Sequence, residues 1–311
     1  MKLAMVFPGQ GSQSVGMLKG YEGLPGVDAV RAGAAAALGS DFVKLLDEGP
    51  VEQLGLTVNT QPAMVTAAIA AYRAWIGSGG PVPVIVAGHS LGEYSALVAA
   101  GALPFEIALP LVRFRAQSMQ EAVPDGQGAM AAILGLDDDA AKAACAEAAQ
   151  GEVVQAVNFN APGQVVIAGH KTAVARAIEA CKARGAKRAM PLPVSAPFHS
   201  SLMQPAANKL EGFLKNVAFA VPSVPVINNV DVKTESDPEK IKNALVRQAA
   251  SPVRWVETIR QMAEQGVTHV VECGPGKVLA GLVKRIDSRL VGIAAADRAS
   301  LEASLATVKG G

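Results

Sequence analysis

Val84-Ile85-Val86-Ala87-Gly88-His89-Ser90-Leu91-Gly92-Glu93-Tyr94-Ser95-Ala96-Leu97 passes from a β-branched apolar run through Gly-His-Ser-Leu-Gly into an alanine-rich, helix-forming segment. It is the Gly-x-Ser-x-Gly pattern in the strand–turn–helix setting that gives the pattern content. Glycines at 88 and 92 let strand and helix meet at a sharp turn with no Cβ in the way. Ser90 then stands at the tip, before the amide dipoles of the helix that follows. The pentapeptide alone is weak, and a capping serine in an ordinary strand–helix turn is the plain alternative. The flanking strand and helix favour an exposed nucleophile.

The chain around this stretch has 311 residues, 50% of them apolar, with 31 glycines and few aromatics. Such a composition suits an α/β enzyme with one large domain, or a large domain carrying a smaller one. A net charge of +1 argues against general attraction to nucleic acid or membrane. Cys145, Cys181 and Cys273 are widely spaced, and neither a disulfide framework nor a metal site follows from them. Met1 to Phe7 is too short for a signal h-region. Pro104, Glu106 and Pro110 interrupt the most apolar longer window, residues 96–112. The chain is expected to be cytoplasmic.

Working outward, Leu3 to Phe7 reads as a buried strand ending at Pro8-Gly9-Gln10-Gly11-Ser12-Gln13. That loop lacks the third glycine of a dinucleotide fingerprint and the lysine of a P-loop, so it reads as a tight turn facing the Ser90 cleft. Residues 26–56 are helical in composition. A helix is expected from Thr60, with Pro62 in its first turn and Met64, Ala68, Ile69, Tyr72, Trp75 and Ile76 on a core-facing stripe. A further helix is read over 108–122. Pro124-Asp125-Gly126-Gln127-Gly128 marks a boundary, after which the order is strand (129–136), helix (140–150), hairpin (153–159 and 164–168), helix (172–184) and strand (187–194). That β-α-β-β-α-β order predicts a ferredoxin-like domain over 124–195, inserted into a large domain of 1–123 and 196–311. After a helix at 201–215, strands at 224–230, 267–273 and 291–295 alternate with helices. The large domain is therefore expected to be α/β-hydrolase-like with a mainly parallel sheet.

A serine hydroxyl needs a base within hydrogen-bond reach. Of four histidines, His89 sits beside the nucleophile but is turned away by strand alternation. His170 starts a helix in the small domain, and His269 lies in an apolar strand. His199, in a Pro-flanked loop where the chain re-enters the large domain, is left as the base. No third triad member is evident. Asp137, Asp138 and Asp139 are better explained as a helix N-terminus, so a neutral acceptor such as a backbone carbonyl is expected to orient His199. A mild base of that kind suits thioesters better than amides.

Several further motifs accompany the serine: Phe7-Pro8-Gly9-Gln10-Gly11-Ser12-Gln13, Thr60-Gln61-Pro62-Ala63, Asn158-Phe159-Asn160-Ala161-Pro162-Gly163-Gln164, Phe198-His199-Ser200, Pro225-Val226-Ile227-Asn228-Asn229 and Glu272-Cys273-Gly274-Pro275-Gly276-Lys277. Together with Gly88 to Tyr94 they resemble the malonyl-CoA:acyl carrier protein transacylase family across essentially the whole chain, most closely its stand-alone bacterial members of type II fatty acid synthesis. The resemblance implies ping-pong acyl transfer from malonyl-CoA, through a malonyl-Ser90 intermediate, to the phosphopantetheine thiol of acyl carrier protein. His199 is then the general base and acid, and the N–H groups of Gln10 and Leu91 form the oxyanion hole. Arg115 grips the malonyl carboxylate, and the backbone carbonyl of Gln248 orients the histidine. Arg113, next to it on the same helix, is expected to be solvated. Coenzyme A and the carrier are mobile partners, and no tightly bound cofactor or metal is implied. An acidic carrier implies a basic patch, for which Lys187-Arg188 and Lys284-Arg285 are the candidates. Two other readings stand beside this one: a serine thioesterase or esterase resting on the elbow alone, and a non-catalytic subunit that only docks the carrier.

Overall fold

The computed structural model describes residues 1–194 and 196–310; Ser195, at the expected edge of the insertion, and Gly311 lie outside the described residues. The chain opens with β1 (Leu3–Phe7), buried throughout. Three helices fill the stretch up to residue 56: α1 (Val27–Leu38), α2 (Ser40–Glu48) and the single-turn α3 (Val51–Leu54). Next, α4 (Thr57–Gly77) begins three residues before the expected Thr60, so Pro62 lies inside the helix rather than in its first turn. The reason is local. Asn59 Nδ2 and Thr60 Oγ1 donate to the carbonyls of Gln53 and Leu54, which ties the early turn of α4 back onto α3. Burial on α4 extends beyond one stripe, because Thr60 to Ala71 are all buried.

Then follow β2 (Ile85–Gly88), α5 (Gly92–Ala99) and α6 (Phe105–Glu121). The next segment comprises β3 (Gly128–Leu134), α7 (Asp138–Ala149), β4 (Val154–Ala161), β5 (Gln164–His170), α8 (Lys171–Ala183) and β6 (Arg188–Pro191). Asp137 caps α7 by accepting the Ala140 N–H at 2.8 Å, the structural use expected of that acidic run. Strand β6 is shorter than the 187–194 reading. It is an edge strand that ends at Pro191, with Pro193 just beyond, and proline cannot donate to a ladder.

The remainder is α9 (Gln204–Leu214), β7 (Val226–Ile227), α10 (Pro238–Ala249), α11 (Trp255–Glu264), β8 (His269–Cys273), α12 (Val278–Ile286), β9 (Val291–Ala295) and α13 (Arg298–Lys309). Strand β7 is only two residues long, against the expected 224–230. Asn228 leaves the ladder there: its N–H and its Nδ2 both donate to the Lys233 carbonyl, and its Oδ1 accepts from Asp231 N–H.

Two sheets result. The first, in the order β7-β2-β1-β8-β9, is parallel at every pairing. Successive β1 residues feed opposite faces: Leu3, Met5 and Phe7 join the core under α4, and Ala4 and Val6 join the core under α11 and α12. The second, in the order β4-β5-β3-β6, is antiparallel. One of its faces packs on α7 and α8, and the other carries Met130, Val157 and Val166 against Phe198. The antiparallel sheet is tied to the segment between α10 and α11 at β4, where Val253 N–H donates to Val157 O and Phe159 N–H to Val253 O. No helix among the described residues is long and apolar enough to cross a membrane.

The elbow depends on two backbone contacts. A Cβ on Gly88 would lie 1.8 Å from the Gly92 carbonyl carbon, and one on Gly92 would lie 2.0 Å from the Phe7 carbonyl oxygen. Neither neighbour is a flexible side chain that could give way. Gly92→Ala is therefore expected to destabilise the fold by about 3 kcal/mol, read as a lowered denaturant midpoint, whereas Gly281→Ala, within α12 and meeting nothing within 4 Å, raises it slightly.

Candidate active site

Between β2 and α5 the chain turns at Ser90, whose φ is 50°, in the left-handed region that costs a non-glycine residue roughly 1–3 kcal/mol. Both of its peptide groups are held. The Ser90 N–H donates to Asn229 Oδ1 at 2.7 Å, and the Ser90 carbonyl accepts from Gln248 Nε2 at 2.9 Å. Asn229 Nδ2 also donates to the Gly88 carbonyl at 2.7 Å, so one amide clamps both sides of the turn.

Ser90 Oγ lies 2.6 Å from His199 Nε2, and His199 Nδ1 donates to the Gln248 carbonyl at 2.9 Å. Because Nδ1 must carry hydrogen to make that bond, Nε2 is left as an acceptor for the serine proton. His199 also has positive φ, 65°. Its imidazole is pushed down to about 3 by burial first and then by the Arg115 charge, which keeps it neutral.

The other three histidines are engaged elsewhere. His89 Nε2 pairs with Asn160 Oδ1 at 2.8 Å and its ring packs on Trp255. His170 Nδ1 accepts the Val153 N–H, and His269 Nδ1 meets Thr268 Oγ1.

Arg115, on α6, is 2% exposed. Its Nη1 donates to Gln61 Oε1 at 3.0 Å, and its Nη2 donates to Gln248 Oε1 at 3.0 Å and reaches Ser90 Oγ at 3.3 Å. The guanidinium lies over the Tyr94 ring at 5.4 Å. Among the described residues no carboxylate bonds to it directly; its hydrogen-bond partners are neutral amides, and the Glu93 carboxyl, bonded to Gln248 Nε2, is the acidic group whose charge reaches it. Burial pushes it below the ordinary arginine range. Arg113 differs in being half-buried with its guanidinium over the Phe42 ring, 5.3 Å from the centroid.

A cavity of about 150 Å³ opens at these groups. Gly9, Gln10, Ser90 and Leu91 line its floor, and Met130, Asn158, Leu192 and Val194 from the antiparallel sheet and the strand end after it line the opposite side. No hydrogen bond among the described residues uses the N–H of Gln10 or of Leu91.

The exposed candidates Lys187, Arg188, Lys284 and Arg285 lie away from this cavity. Arg285 Nη1 donates to Gln164 Oε1, and the Lys187 stem lies over Gly135, whose N–H bonds the Gly163 carbonyl. The two pairs thus flank one turn region at the end of the antiparallel sheet, and none of the four is paired with a carboxylate among the described residues.

Sequence reasoning passed over three groups. Gln61 lies within a quoted motif but was given no role. Asn229 clamps the elbow. Glu93, 2% exposed, accepts from Asn229 N–H at 2.9 Å and from Gln248 Nε2 at 2.8 Å. Burial raises its carboxyl to about 7. An acidic residue in an otherwise apolar helix turn was the available signal.

Residues 4–303 match the acyl transferase domain family, and the chain belongs to it. Among its relatives, the malonyl CoA-acyl carrier protein transacylase of Escherichia coli K12 is 56% identical over 305 residues, covering 98% of this chain and 99% of the relative. The crystal structure of the acyl-carrier-protein S-malonyltransferase of Burkholderia pseudomallei superposes with a TM-score of 0.96 at 62% identity, covering 98% of this chain and 99% of that one. A malonyl-transacylase solved in complex with a type II PKS acyl-carrier protein superposes with a TM-score of 0.96 at 53% identity, covering 99% of this chain and all of that one (100%).

The depressed imidazole has a measurable consequence. Ser90 reactivity toward a fluorophosphonate should stay level well below pH 6.5, where an ordinary histidine loses its basicity. The same shift acts on stability with a definite sign. Between about 6.5 and about 3 the unfolded chain holds the proton and the folded one does not, so stability is lost progressively as pH falls through that window, read as a falling thermal midpoint.

Proposed function

We propose that this chain is a malonyl-CoA:acyl carrier protein transacylase that works by ping-pong acyl transfer. The observation that carries the reading is Arg115: a buried guanidinium without a carboxylate partner, 3.3 Å from the hydroxyl of a serine that is bonded to a neutral histidine. A thioester bearing a free carboxylate supplies the missing anion and presents its carbonyl to Ser90.

His199 Nε2 takes the Ser90 proton as Oγ attacks the thioester carbonyl. The oxyanion is received by the unused N–H groups of Gln10 and Leu91. Collapse breaks the carbon–sulfur bond, and His199 returns the proton to the departing coenzyme A thiolate. In the second half, His199 deprotonates the phosphopantetheine thiol of acyl carrier protein. The thiolate attacks malonyl-Ser90, and Ser90 leaves with the proton. The Gln248 carbonyl stabilises the imidazolium formed in each half, standing where a triad has a carboxylate.

The finer architecture belongs to the same proposal. The strand order β4-β5-β3-β6 supports a ferredoxin-like unit over 124–195, inserted in an α/β-hydrolase-like unit of 1–123 and 196–311. The chain is read as cytoplasmic, with malonyl-CoA as substrate and no tightly bound cofactor. The exposed Lys187-Arg188 and Lys284-Arg285 pairs are read as the acidic carrier's contact.

Two measurements test the reading. Arg115→Ala is expected to slow malonyl transfer by about 100-fold, roughly 3 kcal/mol, while leaving acetyl transfer much less affected; equal losses for both acyl groups contradict the role given to Arg115. Reversing Lys284 and Arg285 to glutamate should raise the KM for acyl carrier protein by about tenfold, with malonyl labelling of Ser90 from malonyl-CoA unchanged. Release of free malonate without carrier acylation would identify a hydrolase instead.

A further inference from the structure

Glu93 is a carboxylic acid enclosed in the first turn of α5, and no step of the proposed transfer uses it as an acid or base. It does not cap its own helix. Oε2 accepts two hydrogen bonds, both from residues far away in the chain: the backbone N–H of Asn229, 2.9 Å away, and Nε2 of Gln248, 2.8 Å away. Among the described residues it forms no ion pair. Packing alone does not call for a carboxyl group, because a methionine fills the same volume without the cost of desolvating one.

The two donors share a second property. Asn229 holds the N–H of Ser90, and Gln248 holds its carbonyl. Gln248 is also the residue whose carbonyl takes the Nδ1–H of His199, and whose Oε1 accepts from Arg115. With its NH2 group committed to Glu93 and to the Ser90 carbonyl, the Gln248 amide has only one orientation available, with Oε1 toward the guanidinium. Ser90 and His199 both have left-handed backbone conformations, which persist only where their surroundings enforce them.

We propose that Glu93 is a positioning residue for the Ser90–His199 pair, its single oxygen Oε2 joining the backbone N–H of Asn229 to the side-chain amide of Gln248, the two residues whose side chains clamp the nucleophile's backbone. This rests on the reading of Ser90 and His199 as the reacting groups. The function required of Glu93 is to accept two hydrogen bonds. A neutral acceptor of the same shape therefore substitutes for it, and an apolar side chain of the same size does not.

The test compares Glu93→Gln with Glu93→Met, using the rate at which a fluorophosphonate labels Ser90, the rate of malonyl transfer to acyl carrier protein, and the thermal midpoint. Glu93→Met is expected to label about 100-fold more slowly than the unaltered protein, the scale of a misplaced reacting group. Glu93→Gln should stay within about fivefold, the difference between a charged and a neutral acceptor. Should Glu93→Met fail to fold, Glu93→Asp withdraws the oxygen by one methylene and is expected to label about tenfold more slowly. Labelling of Glu93→Met (or of Glu93→Asp in its place) at the unaltered rate overturns the proposal. Equal loss in the Gln and Met variants, following their thermal midpoints, does so too. The reagent does not depend on malonyl recognition. If the unaltered protein reacts with it but transfers no malonyl group, the functional reading fails while the comparison at Glu93 is still decided.

Discussion

A serine does not adopt a left-handed backbone by preference, and the surrounding fold is what keeps Ser90 there. Parallel pairing sets Phe7 of β1 opposite Gly88 of β2, and the absence of a side chain at 92 lets the start of α5 press against the Phe7 carbonyl. That contact directs the turn out of the sheet. Asn229, just beyond β7, and Gln248, at the end of α10, then close on the two peptide groups of the serine. The site is thus assembled by the carboxyl ends of parallel strands together with one helix terminus, as open α/β sheets generally arrange their clefts.

Electrostatics in the cleft follow from its enclosure. A buried arginine and a buried imidazole share one cavity with few waters' worth of room, and the arginine's charge disfavours protonation of the imidazole. Gln61 and Gln248 solvate the guanidinium without neutralising it. A carboxylate in their place would have formed a closed pair and left nothing for an anion to meet.

Local pattern made part of this legible. The elbow, the buried strand before it and the alternation of strands with helices all have short-range signatures, and the parallel sheet agrees with them. His199 could be reached because only four histidines exist and three have evident alternatives. The orienting role of the Gln248 carbonyl came from family resemblance alone, since a backbone carbonyl leaves no mark on residue identity. Glu93 and Asn229 were illegible for a related reason: their bonds span 136 and 155 residues, and no spacing rule reaches that far. Strands β6 and β7 were read too long because apolar runs continue past the point where prolines and an asparagine turn end the ladder.

The placement of Arg115 beside His199 gives the site a form of self-selection. In the empty cleft the cation holds the imidazole's proton affinity down. In the proposed mechanism, an acyl group that brings its own negative charge offsets that influence on arrival, and so strengthens the base assigned to His199. An uncharged acyl group meets the same hydroxyl with the weaker base still in force. On the proposed ping-pong route the charge stays in place while the acyl group rides on Ser90, so the incoming thiol of the second half-reaction meets the strengthened base as well.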